Sequence, residues 1–283
     1  MPELPEVEVL ARHLRPLLRG KIIRGVKVRR AKVLRPTSPR KFRQILLGAK
    51  FTGLLRRGKY LLFQLNGKMA GQRVTLLGHL GMTGRMFLAG KNARLPRHAA
   101  VVLDLSGENF IYEDTRYFGR LTLDVSAAEK LGPEPLGRDF QPAVFARALK
   151  RSRQAIKIKL LDQTLVTGIG NIYASEALFR ARLSPKLAAN RLTSRQAKRL
   201  WRAIREVLTE AIRCGSTVPL NFGGDKSDGL FYFGRAPGTP DFYEERLRVY
   251  DREGQPCLNC RSPIKRITQA ARSTFFCPHC QRI

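Results

Sequence analysis

The feature that most constrains this chain lies near its end: Cys257-x2-Cys260, sixteen residues, then Cys277-x2-Cys280. Each pair can grip one metal from a tight knuckle while the residues between them form a hairpin. Four thiolates leave no coordination position for water, so the spacing predicts one structural zinc ion (Zn2+) on Cys257, Cys260, Cys277 and Cys280, and no catalytic metal. A segment of about thirty residues is too small to keep a core by itself, and the metal supplies its folding energy. The fifth cysteine, Cys214, stands apart, a distribution that fits metal ligation in a reducing compartment and not a disulfide framework. His279 sits inside the second knuckle, where no fifth ligand is needed, and is expected at the surface.

Charge narrows the partners. Lysine and arginine number 53 against 22 acidic residues, a formal charge of +31. That excess is far beyond what solubility requires, and a field of this size points to a polyanion. No stretch approaches ~20 consecutive apolar residues and no charged segment followed by an apolar one opens the chain, which disfavours a membrane and predicts a soluble, intracellular protein. Lys265, Arg266, Arg272 and Arg282 surround the cysteines, making the finger a candidate nucleic-acid contact.

Periodicity divides the rest. After Pro5, apolar Val7, Leu10, Leu14, Leu17 and Leu18 recur at helical spacing and Gly20 follows the last turn, which predicts one amphipathic helix. From Lys21 to about Val125 short β-type runs separated by glycine and proline predict an antiparallel sandwich. Leu131-Gly-Pro-Glu-Pro-Leu136 reads as a linker, and residues 143 to 213 read as a helical domain. The expected architecture is α+β and multidomain: a sandwich domain over 1–130, a helical domain over 131–250, and a zinc finger over 251–283. Residues 215 to 238, crowded with glycine, proline and aromatics, read as a long functional loop.

Two further motifs carry chemistry. Gly168-Ile-Gly170 allows a tight turn, and a helix from about Asn171 is expected to present unpaired N–H groups to an anion such as a phosphate, with Arg151, Arg153, Lys157 and Lys159 nearby. The opening Met1-Pro2-Glu3-Leu4-Pro5-Glu6 would leave Pro2 with a free secondary amine once the initiator methionine is removed. Such an amine attacking a sugar C1′ gives an iminium that acidifies the neighbouring carbon, with the Glu3 carboxyl in reach of the same sugar. The competing reading of these six residues is a stiffened helix start.

Taken together, these motifs resemble the formamidopyrimidine-DNA glycosylase family along almost the full chain. Its marks are Pro2-Glu3-Leu4-Pro5-Glu6-Val7-Glu8, Arg57-Gly-Lys59-Tyr, His79-Leu-Gly-Met82-Thr-Gly, Asp114-Thr-Arg116-Tyr-Phe118-Gly119, Leu131-Gly-Pro-Glu-Pro-Leu136, the helix-two-turns-helix around Gly168 to Glu176, and Arg272-Ser-Thr-Phe-Phe-Cys277. The resemblance implies a bifunctional DNA glycosylase and AP lyase of base excision repair. Its substrate is damaged double-stranded DNA, from which it removes oxidised purines (8-oxoguanine, formamidopyrimidines) and cuts the strand by β,δ-elimination. It further implies Pro2 as Schiff-base nucleophile, Glu3 as proton donor during base loss, Lys59 as general acid of β-elimination, and Arg272 as a finger phosphate ligand tied to δ-elimination. Met82, Arg116 and Phe118 match residues that enter the duplex where the lesion leaves, and His98, Arg153, Lys157 and Asn171 match phosphate contacts. A cytoplasmic, nucleoid-associated, bacterial-type monomer is expected.

The chain departs from the family at Tyr117, where a second basic residue is usual, at Ala270 and Ala271, where glycine is frequent, and over 218–243, which is longer and more aromatic. The alternatives are an endonuclease VIII-like enzyme acting on oxidised pyrimidines, against which Leu4 and Arg116-x-Phe118 argue, an inactive damaged-DNA-binding paralogue, which the presence of Pro2, Glu3 and Lys59 disfavours, and a zinc-ribbon RNA-binding protein, which leaves the N-terminal motif unexplained.

Overall fold

The computed structural model describes residues 2–69, 71–214 and 247–282. The aromatic loop predicted over 215–238 lies outside the described residues. The described residues form two compact units, one holding Pro2 and Glu6–Glu129, the other Glu3–Pro5 together with 130–214 and 247–282.

In the first unit, α1 (Leu4–Leu18) is followed by β1 (Gly25–Val28), a 3-10 turn (Ala31–Leu34), α2 (Pro39–Leu46), and seven strands: β2 (Lys50–Arg57), β3 (Tyr60–Asn66), β4 (Arg73–His79), β5 (Gly84–Gly90), β6 (Ala99–Asp104), β7 (Glu108–Asp114) and β8 (Arg120–Thr122). They make two antiparallel four-stranded sheets, ordered β2-β3-β4-β8 and β1-β6-β7-β5. Alternate residues of both sheets meet in one core with Val7, Leu10, Leu14 and Leu18 of α1; Phe63 and Phe110 pack edge to face at 5.5 Å. Leu17, expected on that apolar face, is 40% exposed. This is the anticipated sandwich, with one correction: the region read as continuous short strands contains α2. Ser38 caps it by accepting from the Lys41 N–H at 3.3 Å, Pro39 opens it, and Phe42 and Leu46, four apart, are fully buried.

The first unit closes with the short α3 (Ser126–Glu129), and the second contains α4 (Pro142–Lys150), α5 (Ile156–Lys159), α6 (Asn171–Arg180) and α7 (Ser194–Arg213), then the hairpin β9 (Lys265–Gln269) and β10 (Arg272–Phe276). Thr193 and Gln196 form a reciprocal capping box at the start of α7. The segment 131–136 is not the free linker its prolines suggested. Gly132 donates to the Gln163 carbonyl at 2.8 Å, the Pro133 carbonyl accepts from Thr167, and Arg205 of α7 donates to the Pro135 carbonyl at 2.7 Å. Prolines there exclude helix and strand, but their carbonyls remain strong acceptors and stitch the segment down.

The finger shares its core with the helical unit: Ile264, Phe275, Cys257 and Cys277 pack with Val249 and with Phe179 of α6. Among the described residues no helix is long and apolar enough to cross a membrane.

Candidate active site

In the second unit the chemistry gathers at the start of α6. Gly168 takes φ +84°, and Gln163 brackets the turn by accepting from the Gly168 N–H at 2.9 Å and donating to the Ile169 carbonyl at 2.8 Å. The helix that follows does present free N–H groups, but not to solvent. The carboxylate of Glu3, 2% exposed, accepts from Gly170 at 2.7 Å, Ile172 at 2.9 Å and Tyr173 at 3.3 Å. The expected phosphate position at this helix terminus is therefore taken by a side chain of the protein, for the reason that made it attractive to a phosphate: amides and the helix dipole favour any anion. Leu4 reinforces the arrangement by donating its N–H to the Gly168 carbonyl at 3.0 Å. Gly170 is obligatory by proximity, since a Cβ there would lie 2.4 Å from the Glu3 carboxyl carbon.

Lys157 is fully buried, and its Nζ donates to Asn171 Oδ1 in a short contact. Asn171 in turn donates its amide to the Ser273 carbonyl of the finger hairpin at 2.8 Å. Burial above all lowers the Lys157 pKa to about 8, with the negative charge of Glu3 opposing and the positive charge of Arg272 adding to the shift. Four residues distant in sequence, Glu3, Lys157, Asn171 and Arg272, are thus brought together. Arg272 itself is exposed at the start of β10, paired across the hairpin with Gln269. Arg153 is exposed on the loop before α5 and makes no hydrogen bond or ion pair among the described residues. Glu176, a residue the motifs left without a role, is 5% exposed and accepts from the backbone N–H groups of Arg248, Val249 and Tyr250 at 2.8–3.0 Å, tying α6 to the chain that enters the finger. Burial raises its pKa, and those three bonds oppose the rise.

The four cysteine Sγ atoms lie within 4.8 Å of one another, with Cys257–Cys280 at 3.9 Å and Cys260–Cys277 at 3.4 Å. A tetrahedron with zinc–sulfur bonds of about 2.3 Å has sulfurs roughly 3.8 Å apart, so the donor set fits one structural zinc. The amides of Asn259 and Cys280 each point at a thiolate sulfur at 3.4 Å, as a knuckle requires. His279 is exposed as expected.

In the first unit, Pro2 is buried. Lys59 stands at the tip of the β2–β3 hairpin beside Gly58, whose φ of +56° sets a two-residue turn, and is 9% exposed. His79 on β4 lies directly across from Tyr60, ring centroids 5.0 Å apart. Burial first, then the charges of Lys59 and Arg120, drive the His79 pKa down to about 4 against the pull of Asp114, so the ring is neutral at physiological pH. Its Nδ1 accepts the Gly81 N–H at 3.3 Å, leaving Nε2 to carry the proton. The sequence reading assigned His79 no role; its pairing opposite Tyr60, beside Lys59, is a product of strand register.

Two loops of this unit expose apolar side chains. Met82 is 47% and Phe118 51% exposed, and Arg116 lies over the Phe118 ring at 4.9 Å. Asp114, fully buried, shapes the second loop by accepting from Gly119 N at 2.8 Å, Arg116 N at 3.2 Å and Thr83 Oγ1 at 2.7 Å. Gly81 abuts the same loop: at φ +61° a Cβ would sit 2.6 Å from the Gly119 nitrogen. The two loops are therefore locked side by side, with Arg116 N donating to Thr83 Oγ1 at 3.3 Å, one residue after Met82. Tyr117, at φ +52°, turns away toward His98, Oη to Nδ1 3.4 Å.

Three family models match in chain order: the formamidopyrimidine-DNA glycosylase N-terminal domain over residues 1–121, its H2TH domain over 131–220, and a zinc finger found in that enzyme and in IleRS over 254–283. Sandwich, helical unit and finger thus define a zinc-finger DNA glycosylase of the H2TH class. Formamidopyrimidine-DNA glycosylase of Thermus thermophilus is 42% identical over 99% of this chain and 98% of that protein, and the Chloroflexus aurantiacus enzyme of the same name is 43% identical over 99% and 98%. The fold matches Lactococcus lactis Fpg in complex with abasic-site DNA at a TM-score of 0.88 and 32% identity, covering 99% of this chain and all of that one. A Lactococcus lactis FPG variant in complex with Fapy-dG DNA matches at 0.86 and 33%, covering all of both chains. The chain belongs to the formamidopyrimidine-DNA glycosylase family, enzymes of base excision repair.

Proposed function

We propose that this enzyme binds damaged duplex DNA, excises an oxidised purine and cleaves the strand at the resulting site through a covalent intermediate on Pro2. The observation that carries the reading is the Glu3 carboxylate, covalent neighbour of Pro2, immobilised by three amides of the α6 terminus. A carboxyl so fixed is placed for one proton transfer and is not free to wander.

In this mechanism Pro2 nitrogen attacks C1′ of the everted nucleotide as the glycosidic bond breaks. The Glu3 carboxylate takes the proton that the Pro2 amine loses and passes it to the ring oxygen as the sugar opens, and the base departs with a proton from water. The resulting iminium makes the C2′ proton acidic. Its removal expels the 3′ phosphate, with Lys59 as the acid, and a second elimination expels the 5′ phosphate, which Arg272 holds. A one-nucleotide gap with phosphate at both ends remains. Met82, Arg116 and Phe118 occupy the vacated stack. Leaving two large apolar side chains half exposed costs on the order of 1 kcal/mol each, which burial between bases recovers, and the Arg116 guanidinium can hydrogen-bond the orphaned base. Lys157, Asn171, His98 and Arg153 hold backbone phosphates. The three-part division into 1–130, 131–250 and 251–283, a monomer, and action in the cytoplasm on nucleoid DNA belong to the same reading.

Borohydride trapping on an 8-oxoguanine duplex tests it. A cross-link should form with the parent, Pro2→Gly should lose most base removal, and Glu3→Gln should lose base excision more than cleavage of a preformed abasic site. DNA binding with no cross-link on either substrate would remove the lyase; excision confined to oxidised pyrimidines would remove the purine assignment.

A further inference from the structure

From Val9 to Leu103 the chain carries 23 lysine and arginine residues and no aspartate or glutamate. Of these cations only Lys59 acts in the proposed reaction. Several of the others are concentrated on one connection of the first unit. Past β1 the chain passes Arg30, Lys32 on the 3-10 turn, Arg35, and then Arg40, Lys41 and Arg43 on α2; all six are exposed. None is ion-paired among the described residues.

The support beneath them is rigid. Phe42 and Leu46 anchor α2 in the core, and Thr37 Oγ1 accepts from the Leu123 N–H at 3.1 Å and bonds Thr122 Oγ1 at 2.9 Å. Like charges crowded onto one short connection, none of them ion-paired among the described residues, repel one another until an anion arrives. The row is also continuous with the exposed loop that holds Arg116 and Phe118. Arg30 Nε donates to Tyr117 Oη at 3.2 Å and its guanidinium stands 5.3 Å from the ring centre.

We infer that Arg30, Lys32, Arg35, Arg40, Lys41 and Arg43 form a phosphate track for one flank of the duplex whose lesion the Arg116–Phe118 loop engages. The inference rests on the damaged-DNA reading above. The continuity through Tyr117 selects a flank of that same duplex over a second DNA molecule, because the track starts at Arg30, which bonds Tyr117 of the loop proposed to enter the stack.

The test is the salt dependence of affinity for an abasic-analogue duplex, measured with both arms long and with either arm shortened. Replacing Lys32, Arg35, Arg40, Lys41 and Arg43 together by glutamine should flatten the slope of log K against log salt by about 3 to 4.5, at ~0.9 per phosphate contact, on the long duplex. Shortening one particular arm should flatten the parent's slope equally and leave the glutamine variant unchanged. Arg35→Lys, Arg40→Lys and Arg43→Lys combined should retain the parent slope. An unaltered slope in the glutamine variant, while the parent still binds and excises, overturns the track alone. Loss that ignores which arm is cut, or a second duplex titrating onto the parent but not the variant, overturns the same-duplex assignment. A parent that neither binds nor excises from damaged duplex overturns the underlying functional reading instead.

Discussion

Gly170→Ala isolates the Glu3 clamp from everything else at the site. Gly170 has φ −129° and ψ −154°, an extended conformation that alanine adopts freely, so the substitution stores no backbone strain. What it introduces is contact: the new Cβ would stand 2.4 Å from both the carboxyl carbon and Oε1 of Glu3. Ordinary contact is about 3.5 Å, so the carboxyl must retreat by roughly 1 Å. Each of its three bonds to backbone amides is a hydrogen bond to a charged group, worth about 1.5–3 kcal/mol, and such a retreat forfeits one or two of them. The second unit should therefore lose about 2–5 kcal/mol of local stability. Misplacing a reacting group by about 1 Å costs around 100-fold in rate, or ~2.7 kcal/mol of barrier. Single-turnover excision of 8-oxoguanine should fall by about two orders of magnitude, whereas cleavage of a preformed abasic site should fall much less. Hydrogen exchange at the Ile172 and Tyr173 amides should accelerate in step. If Gly170→Ala excises at the parent rate, or if those amides remain equally protected, the clamp does not position Glu3 and the role assigned to its three amide bonds is wrong.

The buried Lys157 predicts a pH dependence. Its pKa is lowered to about 8 in the fold, so between pH 8 and about 10.4 the unfolded chain binds a proton that the folded chain does not, and stability should rise with pH across that window. Affinity for a phosphate needs the charged form and should move oppositely, weakening as pH passes 8; anisotropy titrations should show this in the parent and not in Lys157→Met. Asp114→Ala removes the acceptor for Gly119 N, Arg116 N and Thr83 Oγ1, and should cost about 2–4 kcal/mol in the first unit and weaken abasic-duplex binding at least tenfold, read by thermal melting and by anisotropy. Stripping zinc should unfold the hairpin together with the packing of Phe179 and Val249, while the sandwich remains folded; chelation followed by limited proteolysis would show cleavage confined to the second unit. Ala270 and Ala271 form the two-residue turn between β9 and β10 at φ +47° and +57°, a left-handed conformation that costs an alanine about 1 kcal/mol, so Ala270→Asn with Ala271→Gly should strengthen the finger by roughly 1–2 kcal/mol and slow zinc loss to a chelator.

Much of this protein was legible before folding because its signals are local. The cysteine knuckles, the glycine turn before α6 and the alternation of the strands each depend on residues a few positions apart, where spacing alone dictates geometry. Even α2, passed over amid strand-like neighbours, carried Ser38, Pro39 and the Phe42–Leu46 pair as local marks. Other properties depended on which distant groups share a volume. Glu3 and the α6 terminus are separated by some 170 residues, and nothing local says that the anion held there is a carboxylate of the chain itself. The burial of Lys157, the tie from Asn171 to Ser273, and the neutral His79 opposite Tyr60 and beside Lys59 likewise follow from packing and strand register. Sequence alone set which chemical groups the protein owns and which short turns they can form; the tertiary structure decided which charges lose their water and which amides face which carboxylate, because desolvation and hydrogen bonding act through space and not along the chain.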